Sequence, residues 1–297
     1  MPISTCNIII DKHGQEVTTH GSAAFPIACY NDDISINPVP WHWHEELEAV
    51  IVKEGSLLLG CGNEQYVVHA GEGFFINTGV LHGCWTYEST SCRIHSIVFH
   101  SRLVGGAQES VFFQKYLHPL MENRIAGSLL LSPQSPWQAE IISHIESAWQ
   151  CVHEEPMGYE FDVWNHLSQI ILLLHSNLPV DTEKANQKSQ KDAQRIKGML
   201  QFIHGHYSDK LTVAEIAGSV SISESECLRC FRATVQLTPN QYLRQYRIQQ
   251  AANLLISTEE KISTIAHACG FEDLSFFAKS FREKTGTSPS QYREQCK

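Results

Sequence analysis

The last hundred residues repeat themselves, which restricts the C-terminal part of the chain to two copies of one small helical unit. Ile216-Ala217 recurs 49 positions later as Ile265-Ala266, and Phe231, Pro239 and Gln241-Tyr242 recur 50 later as Phe281, Pro289 and Gln291-Tyr292. One residue is therefore added between the two helices of the second copy. Each copy reads as a short helix, a turn of three or four residues and a second helix, the layout of a helix-turn-helix.

In the first copy Thr212 with Glu215 forms a capping box that starts a helix burying Val213, Ile216, Ala217 and Val220. The second helix, about Glu224 to Ala233, buries Cys227, Cys230 and Phe231 and turns Ser225, Glu226, Arg229 and Arg232 outward. Cys227 and Cys230 fall on core positions, so no zinc or redox role is expected of them. The second copy turns at Gly270-Phe271 and resumes at Asp273, with Phe276, Phe277 and Phe281 inward and Leu274, Ser275, Lys279 and Arg282 outward. Between the copies, Thr238-Pro239 starts a helix of about 18 residues, a rod of ~27 Å. Such a rod would hold the two outer helices nearly one turn of DNA apart, which is about 34 Å.

Charge separates the two halves. Residues 188–297 hold 15 Lys/Arg against 11 Asp/Glu, whereas residues 1–187 hold 7 against 21. The net charge of −10 therefore conceals a basic module suited to phosphate joined to an acidic module of another kind. The N-terminal MPISTCNIIIDKHG is neither a signal peptide nor a span, and Ile170 to Leu174 is far too short to cross a bilayer. A cytoplasmic protein is expected, with its ten cysteines reduced.

The stretch LTVAEIAGSVSISESECLRCFRATVQLTPNQYLRQYRIQQAANLLIS, followed by ISTIAHACGFEDLSFFAKSFREKTGTSPSQYR, resembles the DNA-binding domain of the AraC/XylS transcription regulators over about a hundred residues. The resemblance implies that Ser225, Glu226 and Arg229 in the first unit, and Leu274, Ser275 and Lys279 in the second, face the major groove. Arg232 and Arg282 join them as candidate DNA contacts from their outward placement. The sequence departs from family habit at Ser221, where a turn glycine is usual, at Glu224 and Glu226, and at Lys261 in a cap position. Double-stranded DNA, RNA polymerase and a second copy of the chain are the implied partners, and activation is the commoner mode.

From Ala23 to about Phe99 short apolar runs punctuated by glycine read as strands of a barrel or sandwich. Within them, His42-x-His44-x3-Glu48-x6-Gly55 and Gly73-x5-Gly79-x2-His82 resemble the two cupin motifs over residues 25 to 100, with strand parity placing His42, His44 and Glu48 on one face. Asn77 stands where that pattern has proline. Three readings are open for His42, His44, Glu48 and His82: a divalent-metal site, polar contacts to a small effector such as a sugar or metabolite, or satisfied barrel residues. Trp41 and Trp43 have the opposite parity and are expected on the outer face. His144, His166 and His175 read as isolated histidines on helices.

From about Gln108 the apolar period becomes helical, with Ser135-Pro136 opening one helix and stripes at Ile141, Ile145, Ala148 and Ile170, Leu173, Leu174 suited to pairing two chains. Pro179 to Ser189 has the composition of a linker. The expected architecture is α+β in two domains. A cupin-like β-barrel (jelly roll) sensor over 1–105 and a helical connector and dimerisation region over 106–180 precede an all-α domain over 190–297, with two helix-turn-helix units joined by a long helix. The expected function is effector-controlled DNA-binding transcription regulation without catalysis. The rival from another class is a cupin metalloenzyme fused to a helical domain, using the same four residues as an open metal site.

Overall fold

The computed structural model describes residues 3, 8, 15–62, 64–88, 91–123, 127–179 and 187–295. They separate into two compact units, dividing between Gln190 and Lys191. Most of the N-terminal tetradecapeptide and residues 180–186 of the expected linker lie outside the described residues.

The first unit is built on strands β1 (Ile27–Asp33), β2 (Val39–His42), β3 (Leu47–Glu54), β4 (Ser56–Cys61), β5 (Glu64–His69), β6 (Gly73–Ile76), β7 (His82–Thr86), β8 (Arg93–Phe99) and β9 (Ser128–Leu131). They form one sheet in the order β1-β8-β3-β6-β9 and another in the order β2-β7-β4-β5. All pairings between these strands are antiparallel. The first eight strands are dealt between the two sheets as in a jelly roll.

Strand β3, LEAVIVKE, shows why the sequence does not alternate here: its sheet is covered on both faces. Val50 and Val52 pack inside the barrel with Leu57, Leu59, Phe74, Ile76 and Ile94. Leu47, Ala49 and Ile51 face the other way, into a core with Ile145, Ala148, Leu167 and Ile170. Burying each such side chain contributes about 1.5–3 kcal/mol. On the outer face of the second sheet Trp41 packs against Trp85, ring centroids 5.4 Å apart. Gly60 permits this, because a Cβ there would lie 2.6 Å from the Trp41 ring.

Residues expected as a separate connector belong to this same core. Helix α1 (Arg102–Gly105) is followed by a π-helical turn at Phe113–Leu117 that runs into α2 (His118–Glu122). After β9, which is a strand and not part of a helical run, come α3 (Pro136–Glu154) and α4 (Tyr159–Asn177). Pro136 occupies the first turn of α3 as expected, although the Ser135 side chain makes no capping bond. The stripes Ile141, Ile145, Ala148, Ile170 and Leu174 are fully buried in their own chain, so they are not available to a second one.

The second unit holds seven helices among the described residues: α5 (Gln187–His206), α6 (Val213–Gly218), α7 (Glu224–Thr234), α8 (Pro239–Ser257), α9 (Ile262–Ala268), α10 (Leu274–Thr285) and α11 (Pro289–Gln295). Local chemistry fixes their starts. Thr212 and Glu215 complete the capping box of α6, and Thr238 and Gln241 complete one for α8 behind Pro239. Asp273 caps α10 by accepting the N–H groups of Ser275 and Phe276 at 2.7 and 3.1 Å, while Lys261 gives α9 no side-chain cap. The 19 residues of α8 span ~28 Å.

One sequence expectation fails here. Phe276 is 48% exposed, because it neighbours Phe277, which occupies the inward position at 1%; successive residues on a helix point about 100° apart, and Ser280 and Phe281 continue the buried side.

The turn of the first unit carries a small defect. Ser221 adopts φ +57°, while its counterpart in the second unit is Gly270 at +77°. A side chain in the left-handed region costs about 1–2 kcal/mol, of which glycine gives back part as chain entropy when unfolded. Ser221→Gly is therefore expected to stabilise the unit by about 0.5–1 kcal/mol. Thermal denaturation of the full chain checks this; a lower Tm in the variant would contradict it.

Candidate functional site

At one end of the barrel six titratable side chains meet, five of them buried and Glu48 partly so. His42 closes β2 and pairs in register with His82, which opens β7; Glu48 is the second residue of β3 in the opposite sheet, and His44 lies in the connection between β2 and β3. The four expected residues do converge, but from two sheets and a loop and not by parity along one strand. Ring centroids of His42 and His82, His44 and His82, and His42 and His44 lie 4.3, 5.0 and 5.5 Å apart. One nitrogen from each of the three imidazoles falls within 4.8 Å of the other two.

The protonation pattern follows from the backbone. His42, His44 and His82 each place Nδ1 2.8–3.1 Å from a main-chain carbonyl, of Pro40, Glu46 and Val80 respectively. A carbonyl only accepts, so Nδ1 of each ring carries a proton and Nε2 is the nitrogen turned to the cluster. That arrangement orients imidazoles as metal ligands. Glu48 Oε2 stands 3.0 Å from His82 Nε2 and 3.6 Å from His44 Nε2.

Two members were not found from sequence. Glu16 and His20, 7% and 6% exposed, enter from the segment before β1. Glu16 Oε2 lies 3.4 Å from His42 Nε2 and 3.5 Å from His20 Nε2. Their only sequence signal is a Glu and a His four apart in a polar stretch without periodicity.

Burial opposes the charge on Glu48, yet its contacts with His44 and His82 outweigh it and hold the carboxyl well below the usual range. Glu16 is lowered likewise, burial being overcome by His20 and His42. Burial also works against the cations of His20 and His44, but Glu16 and Glu48 respectively raise them. Burial, with His82 beside it, pushes His42 down to about 3. Negative charge buried this deeply has to be matched by protons or by a cation.

The second site is the outer surface of the helix-turn-helix units. On α10, Leu274 is 43% exposed, and Ser275, Lys279 and Arg282 are exposed with it. On α7, Ser225 and Arg232 are exposed, but Glu226 and Arg229 are drawn into an ion-pair network with α5. Arg229 reaches Glu226 at 2.8 Å and Asp192 at 2.8 Å, and Arg195 reaches Glu226 at 3.1 Å and Asp192 at 3.3 Å. Asp192 is 4% exposed. The guanidinium fills the space between Asp192, Glu226 and Cys230, and Cys227 and Cys230 are core residues as expected.

Of the remaining histidines, His144 and His166 are not isolated: their Nδ1 atoms face each other at 3.0 Å between α3 and α4. Among the described residues no helix is long and apolar enough to cross a membrane.

A jelly roll with a polar cluster, followed by paired helix-turn-helix units, defines a DNA-binding transcription regulator with a ligand-binding N-terminal domain. Two family models match it: an AraC-like ligand binding domain over residues 27–147 and a helix-turn-helix domain over residues 216–295. The chain thus joins an AraC-like ligand-binding domain to an AraC-type helix-turn-helix domain. It is 29% identical to the HTH-type transcriptional regulator YdeC of Bacillus subtilis (strain 168), over 97% of this chain and 98% of that one. It is 23% identical to the HTH-type transcriptional activator RhaR of Mannheimia succiniciproducens, over 86% and 87%. With the HTH-type transcriptional activator RhaS of Shigella dysenteriae serotype 1 it shares 24% identity over 89% and 93%.

Proposed function

We propose that this chain is a cytoplasmic, non-enzymatic transcription activator whose effector is a divalent metal ion held by His42, His44, His82 and Glu48. The observation that carries this reading is the convergence of three imidazoles whose Nδ1 atoms are engaged by carbonyls, which turns each Nε2 to the cluster. Ring centroids 4.3–5.5 Å apart leave room for an ion and not for a sugar ring between them. The ion would join the ends of β2 and β7 in one sheet to the start of β3 in the other. Ligation that differs between two arrangements of the sheets shifts their populations, and that is the signal.

On DNA, Leu274, Ser275, Lys279 and Arg282 of α10 and Ser225 and Arg232 of α7 are the proposed contacts, with Leu274 and the exposed Phe276 suited to thymine methyl groups. Glu226 and Arg229 act there only to the extent that their ion-pair network opens. The names of the activator relatives support activation, and RNA polymerase is the proposed protein partner. Elemental analysis and operator binding, on a fragment found by genome-wide footprinting, test this together. Near one first-row metal per chain, an operator affinity that changes on chelation, and a steep salt dependence are expected. A metal-free protein whose operator binding ignores chelators would remove the reading.

A homodimer through the first unit is also proposed, now on different residues: Phe161, Trp164 and Leu172 of α4 with Val111 and Phe112 are exposed, and the Phe112 and Trp164 rings meet at 6.5 Å. Sedimentation of the full chain should give a dimer that Trp164→Glu weakens. A dimer unaffected by this change would place the interface elsewhere.

A further inference from the structure

We infer that Glu16 and His20 are the fifth and sixth donors of the barrel site and close the coordination of its divalent cation, which is thereby held as a ligand and not as an open catalytic centre. The inference rests on the metal reading above and adds to it two residues outside the cupin-like quartet.

The backbone delivers them. Gln15 bridges to Trp43 in parallel register, and the N–H of Glu16 donates to the Trp43 carbonyl at 2.9 Å. This seats the Glu16 carboxylate beside the neighbouring His42. His20, four residues on, returns to the same carboxylate, and its ring meets the edge of His44 at 6.0 Å. His20 Nδ1 lies 2.8 Å from the Tyr30 hydroxyl, an outer partner of the kind that orients a ligating imidazole. Its Nε2 is buried and makes no hydrogen bond, and the same holds for Nε2 of His44 and of His82 and for Glu48 Oε2.

The Nε2 side of His42, His44 and His82 already lies within one ion's reach, their nearest nitrogens within 4.8 Å of one another, while Glu16 and His20 stand one contact further out and would draw in as the ion binds. Nitrogen to carboxylate distances of 3.0, 3.4, 3.5 and 3.6 Å exceed those of charge-assisted hydrogen bonds, which run about 2.7–2.9 Å. Two ligands each about 2.0–2.2 Å from a metal stand about 3.0 Å apart at a right angle and about 3.4 Å at the tetrahedral angle. Four imidazole nitrogens with two carboxylate oxygens suit first-row ions such as zinc, nickel, cobalt or iron(II) and not calcium or magnesium, which take oxygen ligands. A quartet alone would leave two positions of an octahedron for water or substrate. Glu16 and His20 fill them, and this separates a sensor from a cupin metalloenzyme.

Cobalt(II) titrated into the chelator-treated full-length chain tests the assignment, because its visible spectrum reports coordination, and azide probes for an open position. The expected result is one cobalt per chain with the weak bands of a six-coordinate ion, unchanged by azide. In Glu16→Gln, which keeps the shape of the side chain, and in His20→Ala, cobalt should bind tenfold or more weakly, with bands that now shift on adding azide. Azide-sensitive bands in the parent, or variants indistinguishable from the parent, would overturn the role of Glu16 and His20 and leave the quartet standing. A parent chain that binds neither cobalt nor zinc overturns both readings.

Discussion

His44→Ala and His82→Ala are each expected to lower metal affinity by more than about a hundredfold and to remove effector-dependent reporter activity. Changes to residues that merely orient metal ligands cost about 10–100-fold, so loss of a ligand exceeds that. The variants should still fold, since the barrel interior of Val50, Val52, Leu57, Leu59 and Phe74 lies beside the cluster and is left intact. Elemental analysis of the purified variants beside induction in cells is the measurement. Unchanged induction in both, with no metal in the parent, would return the cluster to an ordinary buried polar network.

Acidity should act in the same direction. Metals take neutral imidazoles, and Glu48 and Glu16 raise the affinity of His44 and His20 for protons. Competition therefore begins above the ordinary histidine value of about 6.5 and strengthens as pH falls. His42, pushed down to about 3, does not contribute to that loss near neutrality.

The second large effect separates the two recognition helices. Lys279→Ala is expected to weaken operator binding by about 1–3 kcal/mol if the side chain reads a base, roughly 5- to 150-fold, with Tm unchanged. Its ammonium is largely solvent-exposed and only 4.0 Å from Glu283, so nothing in the folded unit depends on it. Arg229→Ala should differ by lowering Tm as well, because it leaves the buried Asp192 with one fewer cation. Glu226 above all, with Asp192, raises the proton affinity of the Arg229 guanidinium, the mark of a group already committed to carboxylates. Anisotropy titrations on operator and random duplex, paired with melting curves, distinguish these outcomes. Parent-like binding by both variants would remove both residues from the interface.

The helix-turn-helix half was legible because its determinants are local. Thr212, Thr238 and Pro239 announce helix starts, and the buried face of α8, from Tyr242 to Leu255, follows the 3.6-residue period residue by residue. The quartet in the barrel is legible from motif spacing, although the route is not: parity predicts one strand for His42, His44 and Glu48, whereas a short β2, a loop and β3 bring them together. Glu16, His20 and Asp192 stayed hidden, since each works through a partner far along the chain and none sits in a periodic pattern. The SLLL of β9 is too short for periodicity to tell strand from helix, and only its pairing with β6 decides. The stripes on α3 and α4 are apolar as the pattern predicts but lie in their own chain's core, because an apolar stripe does not say whether its own sheet or a second chain will cover it.

The indole pair over Gly60 gives the barrel an optical property of its own. Trp41 is joined directly to His42, Trp43 sits between His42 and His44, and Trp41 lies against Trp85. Re-seating the imidazoles on an ion re-seats fluorophores one peptide bond away. The unlabelled chain is therefore expected to report any loading in its ultraviolet emission, and Trp41→Phe or Trp43→Phe would identify which ring speaks for the site.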